Sequence, residues 1–381
     1  MFIPYSKQSI NKADIKSVNT VLKSDFLTQG KKVYEFEKSL TKFTKSKYAT
    51  VVNSATSGLY IACKTLNLKK NDQVWTSSNT FVSTASSILH CGAKVKFLDI
   101  DKTGNIDIKK LEKELISSKK KNKLPKAIII VHFSGQPCYP KEIFNLSKKF
   151  KFKIIEDASH ALGAYYDGIP IGSCKHSDMC VFSFHAIKSI TTGEGGCVTT
   201  NNLKYYKEFN KLRSHGITKD KKDLIIKKKS KFHWYYEVKN ISFNFRLTDF
   251  QCALGISQLK RLNSFIRKRK ILAKKYLKSL DKNKYELPTL VKGHESSWHL
   301  FVIKIKNNKR DAFYKYLNSK KISSVLHYIP VFLHPYYRKK IKNKNFKQTI
   351  EYYKNAISIP LFVDLKKKQQ NYVIKKINEF K

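Results

Sequence analysis

Over about the first 250 residues of this 381-residue chain, short apolar segments alternate with segments of helical character. KYATVV is followed by TSGLYIACKTL, DQVWTS by TFVSTASSILHCG, KVKFLDI by IKKLEKELISSK, and KAIIIVHF by PKEIFNLSKKF. Three further apolar segments come next, FKIIED, MCVFSF and GCVTTN. Strands that alternate with helices are joined by crossovers, which build a parallel sheet with helices on both faces. The pattern therefore predicts an α/β fold with a mainly parallel, doubly wound sheet.

Polar residues follow several of these strands at the point where each strand ends. They fall in residues 54–56, 79–81, 157–160 and 183–188. In an open α/β sheet, ligands bind beyond the carboxyl ends of the strands. We therefore expect the four segments to form one binding site.

Lys188 is the strongest candidate for a catalytic residue. It lies between an apolar, strand-like segment and a turn that contains Gly193, Gly195 and Gly196. A lysine amine can form a Schiff base with pyridoxal 5′-phosphate (PLP) and then carry a proton as general base and acid. The alternative, one more surface lysine, is disfavoured by the apolar segment before it and the glycine-rich turn after it.

Other residues of the four segments suit the same cofactor. Asp157 can keep the pyridine nitrogen protonated, so that the ring accepts electrons, although it can also cap a helix. His160 can hydrogen-bond the phenolic oxygen or stack near the ring, and a structural histidine is the alternative. Ser54, Ala55 and Thr56 mark the start of a helix, where amides and hydroxyls can hold a phosphate or serve only as an N-cap.

Five motifs resemble, in order, those of the DegT/DnrJ/EryC1/StrS sugar-nucleotide aminotransferases: NSATSGL, TFVSTA, EDASHALGA, SFHAIKSITTGEGG and NFRLTDFQCALGISQL. The resemblance extends from LTQGK near the start to SIPLFVDL near the end. It implies the aspartate-aminotransferase-like (type I) fold of PLP-dependent enzymes. We expect a PLP-binding large domain with the N-terminal segment at residues 1–255, and a smaller C-terminal α/β domain at residues 256–381.

The resemblance also implies an activity. It is that of a PLP-dependent transaminase of pseudaminic acid biosynthesis, which moves an amino group from L-glutamate to C4 of a UDP-4-keto-6-deoxy-N-acetylhexosamine. Related sugar dehydratases carry histidine where this chain has Lys188, so the lysine indicates amino transfer. A family member with a different product stereochemistry is the close alternative. A polyanion-binding protein on a degenerate PLP fold is a distant one, and the intact Lys188, Asp157 and His160 argue against it.

The ligand contacts implied by the resemblance form two sets. The cofactor would be bound by Ser54, Ala55, Thr56, Phe81, Asp157, His160, Ser183, Lys188 and Asn244. The sugar nucleotide would be bound by Tyr5, Asp25, Phe26, Leu27, Thr28, Ala55, Ser183, Asn244, Val325, Leu326, His327 and Tyr328. Phe81 would cover one face of the ring. Asn244 would reach the phosphate from the partner subunit, which implies a homodimer with composite active sites.

The chain is strongly basic, with 76 lysines and arginines against 28 acidic residues and a formal net charge of +48. Seven of the basic residues are arginines, and the lysines are spread along the whole chain. Specific recognition of bases and phosphates favours arginine, so this excess is poor evidence for a nucleic-acid-reading protein. Nonspecific attraction to polyanions at low salt remains a consequence of the charge.

Cysteine usage and hydropathy indicate the compartment. The seven cysteines are odd in number and never spaced C-x-x-C, so we expect reduced thiols, no disulfide framework and no metal site. The N-terminus lacks the pattern of a signal peptide, and no apolar segment approaches the roughly 18 residues of a membrane-spanning helix. These features predict a cytoplasmic enzyme with no membrane partner.

Overall fold

The computed structural model describes residues 2–339 and 345–381. Its helices are α1 (Lys12–Leu22), α2 (Lys31–Thr44), α3 (Ala55–Thr65), α4 (Val82–His90), α5 (Ile108–Lys120), α6 (Pro140–Phe150), α7 (Leu203–Arg213), α8 (Asp249–Ser279), α9 (Arg310–Ser319), α10 (Pro335–Arg338), α11 (Lys347–Asn355) and α12 (Lys367–Glu379). Its strands are β1 (Tyr48–Val52), β2 (Gln73–Ser77), β3 (Lys94–Leu98), β4 (Ala127–Val131), β5 (Lys153–Asp157), β6 (Tyr165–Tyr166), β7 (Ile169–Pro170), β8 (Met179–Ser183), β9 (Gly196–Thr200), β10 (Ile217–Thr218), β11 (Glu237–Val238), β12 (Tyr285–Glu286), β13 (His294–Glu295), β14 (Phe301–Ile305) and β15 (Ala356–Ile359).

The seven apolar segments of the first 200 residues form one sheet, in the order β1-β9-β8-β5-β4-β2-β3. Neighbouring strands from β8 to β3 are parallel, whereas β9 is antiparallel to both β1 and β8. Because β9 runs against both neighbours, β1 runs in the same direction as β8. The predicted mainly parallel α/β sheet is confirmed, and the strands that precede the candidate segments all end at the same edge.

Burial on both faces explains the unbroken apolar sequence of the central strands. Along β4, Ile128 and Ile130 pack under α5 and α6, whereas Ala127 and Ile129 pack on the opposite face near α3. All four residues are fully buried. Burying a side chain of this size contributes about 1.5–3 kcal/mol, so the alternating contacts hold helices on both faces of the sheet.

Helix α8 is one continuous helix of 31 residues that joins the two parts of the chain. Thr248 forms its capping box with Gln251, and Asp249 accepts hydrogen bonds from the backbone N–H groups of Gly30 (2.8 Å) and Lys32 (3.0 Å). The expected boundary between residues 255 and 256 falls inside this helix. That boundary stays a prediction.

The C-terminal part contains a three-stranded antiparallel sheet in the order β12-β14-β15. The segment SSVLHY, which is apolar enough to suggest a strand, forms none, because only Val325 pairs, in a single bridge to Ser358. The N-terminal segment also packs here. Ile3 bridges Ile322 and is fully buried in the core of this part.

The charged segment at residues 219–231 is a surface excursion between the two short strands β10 and β11. The residues that follow expose large apolar side chains, with 67% of Trp234, 87% of Ile241 and 60% of Phe243 accessible. Within residues 2–339 and 345–381, every helix is too short or too polar to cross a bilayer. A cytoplasmic location stays a prediction.

Replacing Gly255 with alanine should destabilise the fold, although alanine favours helices. An added Cβ would lie 2.4 Å from Cζ of Phe36 and 2.9 Å from Cγ2 of Thr192. Overpacking of this kind costs about 1–3 kcal/mol, more than the roughly 1 kcal/mol that alanine gains over glycine in a helix. Denaturant unfolding should therefore show a lower free energy of unfolding for Gly255→Ala.

A double-mutant cycle with Phe36→Leu checks the cause, because the smaller side chain should relieve part of the loss. The exposed Asn263→Ala on the same helix is the control, and it should leave stability unchanged or slightly raised. A Gly255→Ala protein as stable as the parent would contradict this account of the contact.

Candidate active site

A cavity of about 450 Å³ lies beyond the carboxyl ends of β1, β2, β5 and β8. Its lining comes from the predicted segments and from the C-terminal part of the chain. The lining residues are Ser54, Ala55, Thr56, Thr80, Phe81, Ser83, Val131, Asp157, Ser159, His160, Ser183, His185, Ile187, Lys188, Glu194, His299, His327 and Tyr328. One site thus collects residues that are more than 250 positions apart in the sequence.

Lys188 lies in a turn after β8, where its backbone N–H donates to the carbonyl of His185 (2.9 Å). Its amine makes no hydrogen bond or ion pair with any residue of the described ranges. Burial lowers the pKa of Lys188 to about 8, although Asp157 acts in the opposite direction. At neutral pH about a tenth of such amines are deprotonated, and a deprotonated amine is a nucleophile and a base.

Asp157 ends β5 and holds its carboxylate in a fixed orientation. Its Oδ2 accepts a hydrogen bond from Oγ1 of Thr84 (2.7 Å), and its Oδ1 accepts from Oγ (2.6 Å) and N (3.2 Å) of Ser159. Residues 158–163 form turns, so the carboxylate does not cap a helix. A carboxylate held by these hydrogen bonds can pair with a cationic group in the cavity.

His160 has both ring nitrogens engaged. The backbone N–H of Ser134 donates to Nδ1 (3.2 Å), so Nδ1 is an acceptor and the proton of the neutral ring is on Nε2. Nε2 lies 3.0 Å from Oη of Tyr328. Burial, Lys188 and His327 hold the pKa of His160 well below its usual range, so the ring is neutral. Two roles are expected for His160. Packing near the PLP ring needs neither nitrogen of His160, whereas a hydrogen bond to the phenolic oxygen of PLP would share or replace the contact with Tyr328.

The start of α3 forms the end of the cavity nearest β1. Ser54 is the N-cap, and its Oγ accepts from the backbone N–H of Ser57 (3.1 Å). The N–H groups of Ala55 and Thr56 lie in the first helical turn, where they have no partner within the helix. A Cβ on Gly196 would lie 2.7 Å from the backbone N of Ala55, so glycine is required for β9 to pass this turn. Such a helix N-terminus suits a phosphate.

The C-terminal part supplies the opposite wall. The backbone N–H of Tyr328 donates to Oδ1 of Asn79 (3.3 Å), which ties the wall to the segment after β2. Nδ1 of His327 lies 2.8 Å from Oγ of Ser358, and its ring centroid is 5.8 Å from that of Tyr5. The ring of Phe81 is 5.8 Å from that of Tyr328 and is 54% exposed. Phe81 is therefore free to contact a flat ligand.

Several predicted ligand contacts lie outside this cavity. Val325 and Leu326 precede the wall, and Val325 pairs with Ser358. Asn244 is exposed, and its Oδ1 accepts only a weak bond from the backbone N–H of Arg246 (3.3 Å). Tyr5 is also absent from the lining, although its ring lies beside that of His327. Asp25, Phe26, Leu27 and Thr28 lie in the loop between α1 and α2. The roles of these residues in ligand binding stay predictions.

The structure also adds residues that the sequence did not indicate. Thr84 and Ser159 orient Asp157, and both lie close to motifs that were recognised, so their hydroxyls were a usable signal. Ser134 follows β4 and bonds His160 within the same part of the chain, whereas His299 reaches the cavity through packing between the two parts. No local pattern marks those two residues.

The donor set fits PLP. An unpaired lysine amine, a fixed carboxylate and an open helix N-terminus face one cavity. They match the aldehyde, the pyridine nitrogen and the phosphate of that cofactor, respectively. Fold and site together define a PLP-dependent enzyme of the type I fold.

Comparison with known proteins agrees with this class and narrows it. Residues 8–378 match the DegT/DnrJ/EryC1/StrS aminotransferase family. The chain is 38% identical over 375 residues to the UDP-4-amino-4,6-dideoxy-N-acetyl-beta-L-altrosamine transaminase of Campylobacter jejuni, which covers 97% of this chain and 95% of that protein. This chain belongs to the DegT/DnrJ/EryC1/StrS family and is an aminotransferase.

Solved structures support the same assignment. PseC of Helicobacter pylori, described as an aminotransferase of pseudoaminic acid biosynthesis, superimposes with a TM-score of 0.91 at 32% identity, over 99% of this chain and 98% of PseC. Spr1654 of Streptococcus pneumoniae, in its PLP form, gives a TM-score of 0.88 at 28% identity, over 99% and 98% of the two chains. The family is PLP-dependent, and PLP is the cofactor of this enzyme.

The lowered pKa of Lys188 predicts an unusual pH dependence of its reactivity. In the apoprotein, the fraction of Lys188 modified by a small amine reagent such as cyanate should rise about tenfold per pH unit and level off above pH 8. Ordinary lysines should level off only near their pKa of about 10.4. Peptide mass spectrometry measures both in one sample.

Asp157→Asn provides the control for the electrostatic cause. Asp157 raises the pKa of Lys188 against the effect of burial, so its loss should move the midpoint to lower pH. A midpoint shared with the surface lysines would contradict the assigned environment.

Proposed function

We propose that this chain is a transaminase that moves an amino group from L-glutamate to C4 of a UDP-4-keto-6-deoxy-N-acetylhexosamine. The observation that carries the proposal is the unpaired amine of Lys188 facing Asp157 in one cavity. Lys188 is half-buried and its amine has no partner in the part of the chain that the structure describes, so its partial desolvation costs free energy that no contact offsets. Its use is therefore chemical.

The position of each residue in the cavity suggests its role in the reaction. Lys188 would anchor PLP and then move a proton, from the α-carbon of the donor in one half-reaction and to C4 of the sugar in the other. Asp157 would hold the pyridine nitrogen protonated, and Ser54, Ala55 and Thr56 would hold the phosphate. When bound, PLP supplies the electron sink that stabilises charge at the carbon that loses its proton. His160 would orient the hydroxyl of Tyr328.

We infer a homodimer in which each active site uses residues from both chains. Ile241 and Phe243, next to Asn244 in the chain, expose apolar side chains, and Trp234 and Phe26 are exposed as well. Apolar surface of this extent favours association. The backbone carbonyl of Asn244 accepts a bond from Nδ2 of Asn53, next to the start of α3, so an apposed chain would meet this edge of the site.

Complementation tests the composite site. Asn244→Ala should weaken PLP retention without unfolding, and Lys188→Ala should abolish turnover while still binding the cofactor. In a mixed dimer, one of the two sites would carry neither substitution if Asn244 acts across the interface. Mixing the two inactive proteins should therefore restore roughly a quarter of the parent activity, from one intact site in about half of the dimers.

Light scattering provides the second check on assembly. Lys188→Ala mixed with Asp157→Asn is the control pair, because both residues line the cavity of a single chain and no intact site can form. A fully active monomer, or equal recovery in the control mixture, would contradict the inferred dimer.

We further propose that the preferred sugar is UDP-2-acetamido-2,6-dideoxy-β-L-arabino-hexos-4-ulose. Two comparisons support this choice, the altrosamine transaminase of C. jejuni and PseC of H. pylori. The physical basis is orientation. With the uridine diphosphate held at one end, inversion at C5 changes which face of C4 meets Lys188.

The kcat/KM values for this sugar and its D-xylo epimer, with glutamate as donor, should differ by about a hundredfold in favour of the L-arabino sugar. A misplacement of about 1 Å at the reacting carbon can cost that much. Equal values, or a preference for the D-xylo sugar, would assign the chain to another sugar within the same family. The transaminase proposal itself would still hold.

A further inference from the structure

His299 lines the cavity of the active site, and none of the roles described above is assigned to it. It directly precedes Leu300 and β14, and only 2% of its surface is exposed. Its ring packs against that of His160 in a tilted arrangement, with 4.4 Å between centroids and 39° between planes, and it lines the same cavity as Lys188. Its position is thus within the active site and not merely in the core.

Neither ring nitrogen of His299 has a partner among residues 2–339 and 345–381. Its Nδ1 is fully buried and unpaired. An unpaired polar atom in the interior costs about 1–3 kcal/mol, and buried polar groups in native proteins are therefore nearly always bonded. Nε2 also lacks a partner among the residues described but is not one of the fully buried atoms, so it is the nitrogen of His299 that a ligand in the cavity can reach.

The surroundings of His299 are positively charged. Burial lowers the pKa of its imidazole well below the usual range, and His160, Lys188, Arg269 and His327 add to the effect. The guanidinium of Arg269 is buried behind the wall, where Nη1 donates to the carbonyls of Trp298 (3.2 Å), His299 (3.2 Å) and Leu361 (2.9 Å).

Arg269 has no carboxylate partner among the described residues. The two acidic side chains that line the cavity are Asp157, bound by hydroxyls, and Glu194, which is exposed at the mouth. An uncompensated buried cation favours an anion nearby. The group that pairs with His299 is therefore expected to carry negative charge.

Resting on the proposed transaminase function, we propose that His299 binds the α-carboxylate of the amino donor. The phosphate of the cofactor is expected at the start of α3, at the other end of the cavity. The positive charge around His299 is therefore expected to pair with a second anion. An amino-acid donor brings its α-carboxylate on the carbon next to the amine that exchanges at Lys188. The N–H of the neutral imidazole donates to a carboxylate oxygen, and Arg269 strengthens the contact through its charge.

The contact gives the donor a fixed orientation. A carboxylate held at this wall leaves the bond from the α-carbon to hydrogen free to face Lys188. His299 is thus a binding residue for one of the two substrates and not for the sugar nucleotide.

Calorimetric titration of the holoenzyme with glutarate tests the proposal without turnover. Glutarate carries the carboxylates of the donor but no amine, so it cannot react. His299→Phe keeps an aromatic ring against His160 and removes the N–H, and it should weaken glutarate binding by tenfold or more, since a hydrogen bond to a charged group is worth about 1.5–3 kcal/mol. His299→Gln restores an N–H donor and should recover most of the affinity. UDP affinity should stay the same in all three proteins.

His90→Phe, an exposed position at the end of α4, is the matched control and should bind glutarate as the parent does. If His299→Phe fails to fold, a second measurement on the parent protein decides. Saturating glutarate should raise the pKa of His299, because a nearby anion favours the imidazolium form. NMR of labelled histidine measures this pKa. UDP should not raise it.

Unchanged glutarate affinity in a folded His299→Phe protein would overturn the proposal, as would an equal loss of UDP affinity or an unshifted His299 resonance. Failure of the proposed function itself gives a different result. Glutamate alone would then leave the visible spectrum of the bound cofactor unchanged in the parent enzyme.

Discussion

The site depends on the reversed direction of a single strand. β9 runs antiparallel to both neighbours, and this makes β1 parallel to β8. The helix start after β1 and the lysine turn after β8 therefore open at the same edge, with two strand widths between them. Gly196 makes this arrangement possible, since any side chain there would collide with the backbone of Ser54 and Ala55.

The second constraint is the contact between the two parts of the chain. The backbone N–H of Tyr328 donates to Asn79, and Oγ of Ser134 donates to the carbonyl of Leu300. The backbone N–H and Oγ1 of Thr349 donate to Asp99, and its Oγ1 also shares a hydrogen bond with Oγ of Ser78. Each bond joins a residue of the C-terminal part to a strand end of the large sheet or to its neighbour. The active site thus lies where the two parts of the chain meet, and its shape depends on how closely they pack against each other.

Local sequence pattern was sufficient for the parts of the site that lie on one strand and its following turn. Lys188, Asp157 and Ser54 could be found because apolar strands end directly before them, and the sheet order then brings them together. His299 and Arg269 could not, because their roles depend on docking between distant segments. SSVLHY is apolar enough for a strand, yet only Val325 finds a pairing partner there, and the following His327 and Tyr328 line the cavity instead.

Burial of Lys188 also has a consequence for chemical selectivity in a chain this rich in lysine. At pH 7, an amine with a pKa of about 8 is about 10% neutral, roughly 300 times the neutral fraction of a lysine whose pKa is about 10.5. An aldehyde in contact with this protein is therefore surrounded by many amines, of which few are neutral and able to act as nucleophiles. The surface lysines are almost fully protonated at pH 7, so they compete poorly with Lys188 for the aldehyde of the cofactor.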